Sequence, residues 1–220
     1  KIGNAEVGDQ VRFGVDPTGP TGGSLLANLI QTPSLLERAQ QGREVGYAII
    51  AVGIIAVLFS FWKLFSLYTI GTAVRKQANN EAADIANPLG RVLKVGKDNF
   101  DKDIDTLELK LAEAIMAERP AIDSGIGFIK IISVIAPLAG LLGTVTGMIV
   151  TFQMITLYGT GDPKLMAGGI SQALVTTVLG LLVAIPTSLL HSFTQSSARG
   201  IIGVLEEQST GILAERAESK

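Results

Sequence analysis

Three stretches of this chain carry no Asp, Glu, Lys or Arg: Val45–Trp62, Ile131–Gly161 and Leu165–Ala198. A helix crossing about 30 Å of hydrocarbon needs roughly 20 residues at ~1.5 Å each. The first stretch only just reaches that length, and the other two exceed it. Their surplus predicts helices that tilt or that continue beyond the lipid as rods. Buried helices of a large soluble protein are the alternative, but nothing else in the chain could cover three such faces. The expected fold is an all-α membrane protein with three transmembrane helices and long cytoplasmic helical extensions.

The same pattern divides the chain. Residues 1–44 hold seven Gly and three Pro, with alternating Val11-Arg12-Phe13-Gly14-Val15 running into Asp16-Pro17-Thr18-Gly19. That reads as a strand and turn, followed by short helical pieces at Ser24–Ile30 and Pro33–Gln41, the second capped by Thr32. Transmembrane segments are expected at 45–68, 131–158 and 165–192. They are joined by a helical domain at 69–130 and a turn at 159–164, with a C-terminal helix at 193–220. Trp62, Lys63 and Tyr68 suit a membrane interface, where rings and a snorkelling ammonium meet headgroups.

Lys63 to Lys130 carries ten Lys/Arg and ten Asp/Glu, so this segment lies in water. Within it, Ile104, Leu107, Leu111 and Ile115 recur at helical spacing. They predict a long helix over Asp103–Arg119 that leads through or around Pro120 toward the second span, packing on neighbours outside the membrane. Lys63, Arg75, Lys76, Arg119, Lys130 and Arg199 flank the spans on one side, against Arg38, Arg43 and Lys164 on the other. The positive-inside rule makes 69–130 and the C-terminus cytoplasmic and the N-terminus periplasmic.

Spans two and three join through Gly159-Thr160-Gly161-Asp162-Pro163 and are therefore antiparallel neighbours. Small residues recur every four positions: Ala136, Gly140 and Thr144 beside Ala139, Gly143, Gly147 and Thr151, then Gly169, Ala173 and Thr177 beside Thr176, Gly180, Ala184 and Ser188. Such stripes permit the close backbone contact that drives association in lipid. Counting from Gly161, Thr144 and Thr177 lie at one depth, about 25 Å along each helix. Two readings stand. Oligomerisation could gather these hydroxyls into a ring around an apolar lumen, or each could bond its own i−4 carbonyl, the commoner role of a membrane threonine.

Composition and charge narrow the chemistry. No acid lies in the spans, whereas ion carriers usually bury a carboxylate there, so a partner must supply it. Gln172 and His191 are the strongest polar side chains available, and His191 reads as a wetted interfacial residue. The absence of cysteine removes thiol nucleophiles and thiolate metal sites. No Gly-rich phosphate loop occurs. A net charge of −2 argues against a nucleic-acid partner. Neither metal, cofactor nor catalytic residue is expected. The chain opens on Lys1 with no signal segment before Gly46, so a processed or truncated product is expected.

The run Ala136-Pro137-Leu138-Ala139-Gly140-Leu141-Leu142-Gly143-Thr144-Val145-Thr146-Gly147-Met148 resembles a signature of the MotA/TolQ/ExbB proton channel family, as does Gly169 through Pro186. Three spans resemble the ExbB/TolQ branch. The N-terminal Leu25-Leu26 and Thr32-Pro33-Ser34-Leu35 are similar to N-terminally extended, TtpC-like members, which carry a periplasmic domain ahead of the first span.

The resemblance implies a homopentamer in the bacterial inner membrane. Its lumen would hold a single-span ExbD-like dimer supplying a membrane Asp, and the machine would drive a TonB-like protein. It places Thr144 and Thr177 on the ion pathway, with Thr176, Gln172 and Thr151 as further candidates. Gly140, Gly143, Gly147, Gly169, Ala173, Gly180, Pro137 and Pro186 become packing positions. One departure stands out: ExbB and TolQ carry Glu where this chain has Gln172, which hydrogen-bonds but cannot titrate. The rival readings are a TolQ-like or motility motor with a different load, and a non-conducting scaffold. Whether the ion is H⁺ or Na⁺ is open at this point.

Overall fold

The computed structural model describes residues 42–79, 84–159 and 163–219. The expected strand, turn and short helices of the N-terminal segment lie outside the described residues, as does most of the turn between the second and third spans. The described residues fold into α1 (Arg43–Ala78), α2 (Pro88–Asp98), α3 (Ile104–Asp123), α4 (Ile126–Tyr158) and α5 (Pro163–Glu218), with no strand among them. The fold is all-α. Helices α1, α4 and α5 are each long and apolar enough to cross a membrane.

Each of the three outruns the bilayer. At ~1.5 Å per residue, α1 is about 54 Å long, α4 about 50 Å and α5 about 84 Å. Helix α5 passes through Pro186 without interruption. The third span and the C-terminal helix expected at 193–220 are therefore one rod.

Where α1 and α5 leave the apolar zone, α2 and α3 pack against them. Leu67 and Val74 of α1, Leu89 and Val92 of α2, Leu107 and Leu111 of α3 and Ala198, Ile201, Ile202 and Leu205 of α5 form one buried cluster. Each of the larger side chains contributes about 1.5–3 kcal/mol by leaving water. This region is thus held by the hydrophobic effect, unlike the membrane helices, where lipid removes that drive. Helix α2 starts where Asn87 accepts a hydrogen bond from the Gly90 N–H at 2.8 Å, with Pro88 at the first position. Arg91 then bridges to α3 through two 2.6 Å bonds to Glu118, and that pairing raises the arginine pKa above its ordinary value.

Helix α3 begins at the Asp103 cap, whose carboxylate accepts from the Thr106 N–H at 2.9 Å. It carries Pro120 within its last turns and stops at Asp123. The helical path toward the second span therefore breaks beyond the proline, at Ser124–Gly125. Gly125 has φ +79°, a left-handed conformation that disfavours any side chain, and a Cβ there would lie 2.7 Å from the Phe59 ring. Phe59 meets Phe128 edge-on at 5.4 Å across this elbow. Lys63, buried beside it, donates to the Ala121 carbonyl of α3 at 3.4 Å.

Candidate functional site

Helices α4 and α5 form a hairpin whose seam is built from the small residues. A Cβ on Gly140 would lie 2.9 Å from the Thr176 carbonyl oxygen and 3.4 Å from the Gly180 Cα, and one on Gly147 would lie 2.9 Å from the Ala173 Cβ. Cβ atoms on Gly143 and Gly169 would overlap Thr176 and Thr151 respectively. The small-residue stripes therefore let two helices of the same chain meet at backbone distance. Pro137 and Pro186 lie within uninterrupted helices, and Pro186 lines the groove between α5 and α1.

This register decides what each threonine does. Thr176, 1% exposed, donates to the Ala173 carbonyl at 2.7 Å and reaches the Gly140 carbonyl of α4 at 3.3 Å. Thr151, 3% exposed, donates to the Gly147 carbonyl at 2.9 Å. Both hydroxyls are enclosed within one chain, so the structure puts these two candidates inside the seam and not on an open face. Thr144 donates to the Leu141 carbonyl, three residues back, at 2.6 Å. Thr177 reaches across to the Gly140 carbonyl at 3.5 Å. The i−4 bond that spacing suggested thus belongs to Thr151, whereas Thr177 turns toward the neighbouring helix.

Thr144 and Thr177 share an edge of the seam. Ile132, Ile135 and Ala139 of α4 line a groove against α1, and Leu179, Val183 and Pro186 of α5 line a second, where Gly53 of α1 meets Val183. At 100° per residue, Thr144 lies about 140° around α4 from Ala139, and Thr177 about 120° around α5 from Val183. Both fall on the side away from α1. Pairing of Gly140 with Thr177 and of Gly147 with Ala173 keeps Thr144 and Thr177 level to within ~3 Å.

Gln172 does not join them. It lies about 140° around α5 from Thr177. Seam residues further along α5 escaped the sequence reading: Thr187 and Thr194 are fully buried, each donating at 2.7 Å to the carbonyl four residues back. Their seven-residue interval, continuing the Ala173–Gly180 spacing, was the available signal.

Among the described residues no group of His, Asp and Glu is placed to hold a metal ion. The edge that carries Thr144 and Thr177 offers hydroxyl oxygens and exposed apolar side chains, including Leu141, Leu174 and Leu181. It can solvate an ion or polar group in passing, and it contains no acid or base to exchange a proton.

The sequence of residues 84–207 matches the model of the MotA/TolQ/ExbB proton channel family. The chain belongs to that family. Similar relatives carry the ExbB name. A putative biopolymer transport protein ExbB homolog of Methanothermobacter thermautotrophicus is 30% identical over 180 residues, 73% of this chain and 62% of the relative. The putative biopolymer transport protein ExbB-like 3 of a Synechocystis species is 28% identical over 75% of this chain and 84% of its own. The biopolymer transport protein exbB1 of Vibrio cholerae is 36% identical over 44% of this chain and 42% of its own. The chain thus spans less than two thirds of the first and third. The family match takes in α2 to α4 and most of α5, so it covers the seam and its Thr144/Thr177 edge. Membership makes this an ExbB-like, multi-pass membrane protein of a proton channel family.

Proposed function

We propose that the chain is the ExbB-like subunit of an ion-driven motor in a bacterial inner membrane. Five copies surround a lumen lined by the Thr144/Thr177 edges of α4 and α5, and α1 lies outside, toward lipid. A single-span ExbD-like partner in that lumen supplies an Asp, and the motion is passed to a TonB-like protein that energises outer-membrane transport. The observation that carries this reading is the pairing of two level hydroxyls on an edge without any carboxylate. Such an edge lines a path but needs a titrating partner.

Orientation follows from the cations that flank the spans, with α2 and α3 cytoplasmic and the N-terminal side periplasmic. Thr177→Val, in the complex with its partner, tests the assignment by uptake of an iron chelate. Loss of uptake with normal assembly supports the lumen edge; undiminished uptake removes it.

A further inference from the structure

Helices α1 and α5 run side by side, with Gly53 against Val183 and Gly71 against Ile201. Two grooves open along this junction. One is wholly apolar, lined by Ile54 and Val57 of α1 and by Leu179, Leu182 and Pro186 of α5. The other, nearer α2 and α3 and of about 420 Å³, is lined by Tyr68, Thr72 and Arg75 of α1 and by Ser196 and Ser197 of α5. No Asp or Glu lines either groove.

The two grooves share one face. Eighteen residues make about five helical turns, or ~27 Å. Val57 and Arg75 are that far apart on α1, and Leu179 and Ser197 on α5, so each pair points the same way. Between them stand the exposed rings of Phe61, within about 20° of Tyr68 around α1, and Phe193, within about 20° of Pro186 around α5. Ser197 lies about 160° around α5 from Thr177, so this face is turned away from the threonine edge.

The surface of the junction therefore changes at Tyr68 from apolar to hydroxyl-rich and cationic. An exposed amphipathic ring at such a boundary sits at the headgroup level of a bilayer. Arg75 is two turns further on, yet helical side chains lean toward the N-terminus of their helix, which for α1 is the membrane side. Arg75 makes no ion pair among the described residues. A guanidinium beside neutral hydroxyls suits a phosphate. A zwitterionic headgroup would also bring an ammonium, for which the groove has no carboxylate, so its lining selects a headgroup of net negative charge.

We propose that the α1–α5 junction binds an anionic phospholipid in the leaflet on the α2–α3 side. Arg75 pairs with the phosphate, and the Tyr68, Ser196 and Ser197 hydroxyls donate to phosphate or glycerol oxygens. An acyl chain lies over Phe61 and Phe193 toward the apolar groove. This site does not rest on the motor reading.

The single tryptophan of the chain, Trp62, provides the test, since it lies about 100° around α1 from Phe61. The exchange Phe61→Trp/Trp62→Phe moves the fluorophore into the groove, and the unmodified chain then reports on the surrounding bilayer. Both chains are reconstituted in phosphatidylcholine containing brominated phosphatidylglycerol or brominated phosphatidylcholine, and quenching measures the relative binding of the two lipids. About a fivefold preference for phosphatidylglycerol is expected at position 61, from one cation at the headgroup level, against less than twofold at Trp62. A second placement, Phe193→Trp/Trp62→Phe, reads the same groove from α5 and should give the same preference. Adding Arg75→Gln should reduce it to less than twofold, whereas Arg75→Lys, which keeps the charge, should retain most of it. Equal binding of the two lipids at both placements overturns the proposal, as does a preference that survives Arg75→Gln. So does loss of the preference on adding inorganic phosphate at fixed ionic strength, which would mark a free-anion site. Quenching at Trp62 but at neither placement would mark a groove covered by another polypeptide, and overturns it too.

Discussion

A Cβ on Gly143 would overlap the Thr176 hydroxyl across the α4–α5 seam. Lipid provides no hydrophobic drive between helices, so backbone proximity of this kind is what holds the hairpin. Gly143→Ala should therefore cost about 1–3 kcal/mol, by overpacking, and lower the melting temperature in detergent. Gly200→Ala, with open space around its Cβ position, should be neutral or stabilise by up to about 1 kcal/mol. Equal melting of the two variants would show that the seam is not a close contact.

Adjacent threonines should separate stability from transport. Thr176→Val leaves the Gly140 carbonyl short of a buried donor and should cost about 1 kcal/mol in melting experiments. Thr177→Val removes only a long bond at a partly open position, so its melting should change by less than about 0.5 kcal/mol. Its partner-dependent ion flux should nonetheless fall about tenfold, the equivalent of one lost polar contact of ~1.4 kcal/mol along the path. A flux loss that tracked melting in both variants would remove the distinction.

Gly125 serves two purposes that a double-mutant cycle can separate. Gly125→Ala should cost about 1–2 kcal/mol for the left-handed backbone, with a further loss from contact with Phe59. In a Phe59→Ala background the contact term disappears and the backbone term remains. Additivity in thermal melting would show that the ring does not constrain the elbow.

The Arg91–Glu118 bridge joins α2 to α3, with the guanidinium partly exposed. Glu118→Gln should cost about 1 kcal/mol and speed amide exchange in α2, the modest value reflecting solvent screening. Because pairing raises the Arg91 pKa, its contribution is fully present below its ordinary value and is lost only as pH rises through the raised one. Arg91 thus stays charged from about pH 6 to 9, and its own titration should leave melting unchanged across that range. Protection of α2 unaltered in the variant would mean the bridge is ornamental.

The three spans were legible in the sequence because a charge-free run long enough to cross a bilayer suits little besides a membrane helix. The level of Thr144 and Thr177 was legible too, since counting outward from a tight turn measures depth on both arms. What counting could not reveal was facing. Thr176 and Thr177 differ by one residue and 100°, and the close approach of Gly140 and Gly143 of α4 encloses Thr176. Gln172 resembles Thr177 in being polar, yet it lies about 140° away from it around α5. Pro120 marks itself as the break before the second span because proline is the strongest local interrupter. Pro120 forgoes one bond to the Met116 carbonyl without stopping the helix, and the left-handed Gly125 makes the turn instead.

The unbroken α5 runs from the far end of the hairpin to Glu218. A rod of about 84 Å behaves as a lever: a tilt of about 5° at one end sweeps the other through roughly 7 Å. Thr177 and Leu205 lie 28 residues apart on this rod, about 42 Å, so the same tilt beside Thr177 would move the aqueous core around Leu205 by roughly 4 Å.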